Sequence, residues 1–97
     1  MVKEIIWTPQ AQITFRKVVD YLEFNWTQKE VERFVILTDI AITYISNNPK
    51  MFRATDKLNI REAMITPHNL LVYRIYKTRI YLIAFWDTRQ NPKKRKY

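Results

Sequence analysis

The chain has no glycine, no cysteine and a single histidine among its 97 residues. Each absence removes a class of chemistry. Without glycine, a Walker loop, a Rossmann fingerprint and a nucleophile elbow cannot be built. Without cysteine there is no disulfide, thiolate metal site or thiol nucleophile. One histidine leaves the usual zinc and Ser-His-Asp constellations short of parts. No cofactor and no metal are expected, and an enzyme made from this chain would work with Arg, Lys, Tyr, carboxylates and His68 alone. Long apolar runs are also missing: none approaches the ~18–20 residues that span a bilayer, so no membrane partner is expected. The start, Met1-Val2-Lys3-Glu4, lacks a signal-peptide layout, which makes the cytoplasm the expected compartment.

What the chain does have is positive charge, placed unevenly. Residues 1–48 hold five Lys/Arg against six Asp/Glu, whereas residues 49–97 hold twelve against three. The net charge of +8 therefore belongs to the second half. That asymmetry suits a nucleic-acid or otherwise acidic partner, with a solvated basic face as the plainer alternative. It culminates in Arg89 and in Lys93, Lys94, Arg95 and Lys96, directly after the apolar run Ile80–Trp86. The organisation expected is one domain over residues 1–92 and a basic tail over 93–97.

Lys3–Trp7 reads as a short strand. Thr8-Pro9 supplies an N-cap and a proline at the first helical position. Ala11, Phe15, Val18, Val19, Leu22 and Trp26 then recur at helical spacing to about Asn25. Thr27-Gln28-Lys29-Glu30 has the form of a capping box, opening a second helix that runs to about Asn47. Its main face carries Val31, Phe34, Val35, Thr38, Ala41, Ile42 and Ile45. Ile36, Leu37, Ile40 and Tyr44 widen the apolar stripe, either for burial on a second side or to dock a partner's helix. Asn48-Pro49 stops the helix, and Lys50–Asn59 reads as an exposed link carrying Lys50, Arg53 and Lys57. Three strand-like runs follow, Ile60–Ile65, Leu70–Tyr76 and Ile80–Trp86, with joints short enough to enforce an antiparallel meander. The expected class is α+β, in the order β-α-α-β-β-β, a helical hairpin packed on an antiparallel sheet.

A two-residue turn at Lys77-Thr78 would pair Tyr76 with Arg79, Arg74 with Tyr81 and Val72 with Ile83. Alternation then gathers Arg74, Tyr76, Arg79 and Tyr81 on one face, with Leu71, Tyr73, Ile75, Ile80 and Leu82 on the other. Lys77-Thr78 is poor chemistry for a turn that wants positive φ, and a one-residue slip would flip the faces. Arginines interleaved with tyrosines can grip phosphate and stack on bases; ordinary cross-strand cation–π packing is the alternative. Mid-strand Arg74 is expected to be desolvated and to need an anionic partner. Arg61 could simply pair with Glu62, and Arg89 with Asp87, while His68 lies in a turn.

Trp7-Thr8-Pro9 with Ala11, Asn48-Pro49, Arg61, Leu71-Val72-Tyr73-Arg74 and Phe85-Trp86-Asp87-Thr88-Arg89-Gln90-Asn91-Pro92 occur in an order and spacing that resembles the RelE/ParE superfamily. These are the toxins of bacterial type II toxin–antitoxin modules, and the likeness covers nearly the whole chain. It implies the fold expected above, growth inhibition by the free toxin, and a hetero-oligomer with a cognate antitoxin, for which Ile36, Leu37, Ile40 and Tyr44 are the candidate contacts. It also implies one of two targets. The ParE-like branch inhibits DNA gyrase and cuts nothing itself; the RelE-like branch enters the ribosome and cuts mRNA. In the cutting case Arg61, Arg74 and Arg89 would stabilise charge, with His68 and Tyr81 as acid/base candidates by type. Ala63 and Leu70 stand where the RelE pattern has lysine and arginine, which favours the ParE-like or an undefined target. Target or nucleic-acid contacts would include Arg53, Arg79 and Lys93–Lys96. A non-toxic nucleic-acid-binding module is the further alternative.

Overall fold

A computed structural model describes residues 2–88. The elements are β1 (Glu4–Trp7), α1 (Pro9–Asn25), α2 (Gln28–Asn47), β2 (Arg53–Ala54), β3 (Ile60–Thr66), β4 (Asn69–Tyr76) and β5 (Arg79–Asp87). They form a five-stranded sheet in the order β1-β5-β4-β3-β2, with β1 parallel to β5 and the other pairs antiparallel. The helical hairpin covers one face. The expected order is thus observed, with β2 added at the edge. That strand was invisible in the sequence because two residues carry no periodicity, and it makes part of the expected open link a sheet edge.

Thr8 joins the first strand to the first helix. Its hydroxyl accepts from the Ala11 amide at 3.1 Å, capping α1, and donates to the carbonyl of Leu82 on β5 at 2.7 Å. Six residues further on, the Thr14 hydroxyl accepts from the Phe85 amide at 2.9 Å. Two threonines therefore fix α1 to β5 by polar contacts, and packing does the rest. Phe15, Phe34, Phe85 and Trp7 interlock, with Phe15 at 5.2 Å from Phe85 and 5.4 Å from both Phe34 and Trp7, ring centre to ring centre. Fully burying one such ring contributes about 1.5–3 kcal/mol. This cluster unites β1, α1, α2 and β5, with Leu71, Tyr73, Ile80 and Leu82 beneath.

The capping box does not form. Thr27 makes no side-chain cap hydrogen bond, because the Glu30 amide already bonds the Thr27 carbonyl at 3.0 Å in a tight backbone turn. Trp26 and Val35, expected on the core-facing stripes, are exposed.

A glycine-free chain must find its left-handed positions elsewhere. Asn59 takes φ 62° and Lys77 takes φ 51°. Asparagine is suited to this region, whereas lysine is not, at a cost of about 1–2 kcal/mol. The Lys77 carbonyl accepts a hydrogen bond from Lys3 Nζ at 2.6 Å, anchoring the turn to the first strand. The register is the expected one, Tyr76↔Arg79 and Arg74↔Tyr81, without a slip. Beyond it the expectation fails by one residue. Val72 pairs with Ala84 and not Ile83, because the register shifts there through a β-bulge. The bulge returns Phe85 to the helix side, where the aromatic cluster uses it.

Candidate functional site

The chemistry-bearing residues divide between the two faces of the sheet. On the face away from the helices, cross-strand pairing brings Arg74 beside Tyr81 and Tyr76 beside Arg79. The Arg74 guanidinium lies 6.0 Å from the Tyr76 ring centre, Lys77 Nζ lies 5.5 Å from the same ring, and the Tyr76 and Tyr81 rings are 6.4 Å apart. Arg74 is exposed, contrary to the expected desolvation, since nothing from the helices covers this face. Arg79 pairs with Glu4 at 3.2 Å, and its guanidinium is held even further above its ordinary pKa by a hydrogen bond to Tyr81 and by the Glu4 charge. Arg53 at the opposite edge approaches Glu62 at 3.8 Å. Arg74 and Lys77 thus face solvent across a tyrosine, with Arg79 and Arg53 held in place by carboxylates to either side. Such a surface can meet an anionic or carbonyl-rich partner with preset geometry.

Arg61 does not join it. Alternation sets Arg61 with Ala63 and Ile65 on the helix side, and its Nη1 donates to the carbonyls of Lys50 at 3.0 Å and Phe52 at 2.6 Å. Among the described residues it is Arg53, not Arg61, that forms an ion pair with Glu62. That parity was available in the sequence and identifies the face. His68 is also remote. It lies in the β3–β4 turn, six residues before Arg74, a separation of about 20 Å along an extended strand. The Thr66 hydroxyl accepts from the His68 amide at 3.2 Å, and the Thr88 amide donates to the His68 carbonyl at 3.0 Å, so this turn is tied to the end of β5. Arg89 and Lys93–Lys96 lie outside the described residues.

A second surface is the outer flank of the hairpin. Ile36, Ile40 and Tyr44 are exposed at 58%, 46% and 52%, whereas Leu37 is half-buried. The widened stripe therefore serves no second core. Leu37 also lines a groove of about 920 Å³ between α1, α2 and the β3–β4 turn, and Ile40 and Tyr44 continue its face at positions i+3 and i+7. Val18, Leu22, Phe34, Ile65 and Phe85 give the groove an apolar floor; Lys17, Arg33, His68 and Asp87 stand around it. Tyr21 and Trp26, both exposed, flank it. This groove was not foreseen from the sequence, although Tyr21, standing off the buried stripe of α1 and lining the groove, was a usable sign.

The sequence profile of the ParE toxin of type II toxin–antitoxin systems, parDE, matches residues 5–92. The chain belongs to the ParE toxin family. It is the toxin component of a type II toxin–antitoxin module. No curated protein matches it by sequence. Among solved structures it is similar to the chromosomal ParDE system of P. aeruginosa, with TM-score 0.74 and 11% identity over 89% of this chain and 96% of that one. The YoeB/ParE toxin of Agrobacterium tumefaciens gives 0.62 and 16% over 87% and 96%. The E. coli DinJ–YafQ toxin–antitoxin complex gives 0.61 and 12% over 90% and 93%. At such identities these structures establish the fold of a ParE toxin for this chain. No helix among the described residues is long and apolar enough to cross a membrane.

Proposed function

We propose that this ParE-family toxin arrests growth in the cytoplasm by docking on DNA gyrase through the outer face of its sheet, without cutting nucleic acid. The observation that supports this reading is the separation, among the described residues, of groups a nuclease would need together. Arg74 and Tyr81 share the outer face, Arg61 is turned to the helix side, and His68 sits about 20 Å from Arg74 at the far turn. Cleavage requires a base, an acid and charge stabilisation around one phosphate, whereas docking requires a surface, here made by Arg74, Tyr76, Lys77 and Tyr81 with Lys50 and Arg53 at the β2 edge. Tyrosine and arginine are the residues that most often dominate protein interfaces.

The antitoxin, on the same reading, lays an apolar helix along Leu37, Ile40 and Tyr44 and into the groove beside Trp26, leaving the outer sheet face to the target. The competing reading is ribosome-dependent mRNA cleavage, which would use Arg74 and Tyr81, direct cross-strand neighbours, on the same face. A supercoiling assay with purified gyrase and relaxed plasmid separates the two. The toxin should block supercoiling, and Arg74→Ala should need at least roughly tenfold more protein, as expected for loss of an interface anchor. Normal supercoiling at saturating toxin, or full inhibition by Arg74→Ala, would overturn the proposal.

A further inference from the structure

Among the described residues, Arg61 is the one arginine that hydrogen-bonds backbone carbonyls. Its guanidinium serves the carbonyls of Lys50 and Phe52, at 3.0 and 2.6 Å. Tyr73, its cross-strand partner, donates its hydroxyl to the Pro49 carbonyl at 2.6 Å and meets the Phe52 ring edge-on at 6.4 Å. Neighbouring side chains on β3 and β4 thus grip carbonyls 49, 50 and 52 of the segment leaving α2. Among the described residues the backbone restraints there are few: β2 pairs Arg53↔Glu62 and Ala54↔Arg61, and the Met51 and Thr55 amides bond the Asn48 and Ile60 carbonyls.

We infer that Arg61 is a positioning residue, which with Tyr73 clamps residues 49–52 and thereby holds Lys50 and Arg53 at the β2 edge. It does so without touching the toxin's target. Both bonds come from Nη1, and the planar, permanently charged guanidinium sets the two N–H groups of that nitrogen in fixed directions, which the freely rotating ammonium of lysine does not. The role follows from the side of the sheet on which Arg61 lies, and holds whichever target the outer face engages.

The test is amide hydrogen exchange on the purified full chain, read together with growth arrest, for Arg61→Ala, Arg61→Lys and Tyr73→Phe. In Arg61→Ala, exchange of the Met51 and Thr55 amides, which bond the Asn48 and Ile60 carbonyls, should quicken by roughly tenfold or more. Amides in the middle of α2 and of β4, which exchange through global unfolding, should quicken no more than the variant's loss of global stability accounts for. Growth arrest should weaken in step. Arg61→Lys should restore part of both properties, and Tyr73→Phe should reproduce both defects with Arg61 still present. If Arg61→Ala does not fold, the other two variants carry the same comparison. Lost growth arrest with the link still fully protected would show a direct contact and overturn the inference. A loosened link with undiminished growth arrest would overturn it as well.

Discussion

Replacing Tyr73 by phenylalanine should destabilise the toxin at neutral pH and stabilise it, relative to the wild type, in alkali. The Tyr73 side chain is fully buried, and burial raises its pKa from 10.0 to about 12, with the positive charge of Arg61 working in the opposite direction. At pH 7 the variant loses one hydrogen bond and leaves the Pro49 carbonyl without its donor, a cost of about 1–2 kcal/mol. A phenol that is harder to ionise in the folded than in the unfolded chain protects the fold fully below pH 10. That contribution disappears as pH rises through 12. A difference of two pKa units corresponds to roughly 2.7 kcal/mol, which exceeds the neutral-pH advantage. The stability order should therefore invert between about pH 10 and 12, with the phenylalanine variant more stable by about 1 kcal/mol at the upper end. Urea unfolding of both proteins, followed by tryptophan fluorescence at each pH unit from 7 to 12, measures this. Other titrating groups cancel in the difference. Curves that stay parallel across the range would show that Tyr73 ionises as readily in the fold as outside it, and the reasoning about its burial would fall.

Phe34→Ala, at the contact of Phe15 with Phe85, should cost about 3–5 kcal/mol in chemical denaturation; a loss below 1 kcal/mol would mean that the aromatic cluster does not carry the hairpin's docking. Ile40→Asp should leave growth arrest intact while abolishing rescue by the co-expressed antitoxin, and rescue at the wild-type level would remove the α2 flank from the antitoxin contact. Thr8→Ala should lower stability by about 1–2 kcal/mol through loss of the helix cap alone, and by more if the bond to the Leu82 carbonyl also counts; an unchanged denaturation midpoint would contradict both roles.

The sequence carried the architecture because its signals were local and mutually consistent. Thr8-Pro9 joins a favoured N-cap residue to a favoured first helical residue just before an apolar stripe, and the close spacing of Tyr76 and Arg79 leaves only a tight turn between them. The ladder from Arg74 to Tyr81 followed from that turn alone, even with Lys77 in an unfavourable conformation. What could not be read was set by tertiary structure. The bulge opposite Val72 depends on returning Phe85 to the aromatic cluster, which no local propensity encodes. β2 is two residues long and is defined by its pairing with Arg61 and Glu62 of β3, a contact between segments that no local periodicity marks. Thr27 and Glu30 had the right identities for a capping box, yet the backbone satisfied its own amide first. At the site, the outer-face quartet was legible from alternation. The same alternation separates Arg61 from it, and the resemblance to a nuclease pattern had grouped Arg61 with residues on the other face. The groove required knowing how the hairpin lies against the β3–β4 turn.

Pulse-labelling of new DNA and new protein, in the minutes after the toxin is induced without its antitoxin, tests the central claim most directly. A gyrase-directed toxin predicts that DNA synthesis falls first while protein labelling continues. Protein synthesis collapsing first would place the target on the ribosome and contradict the account.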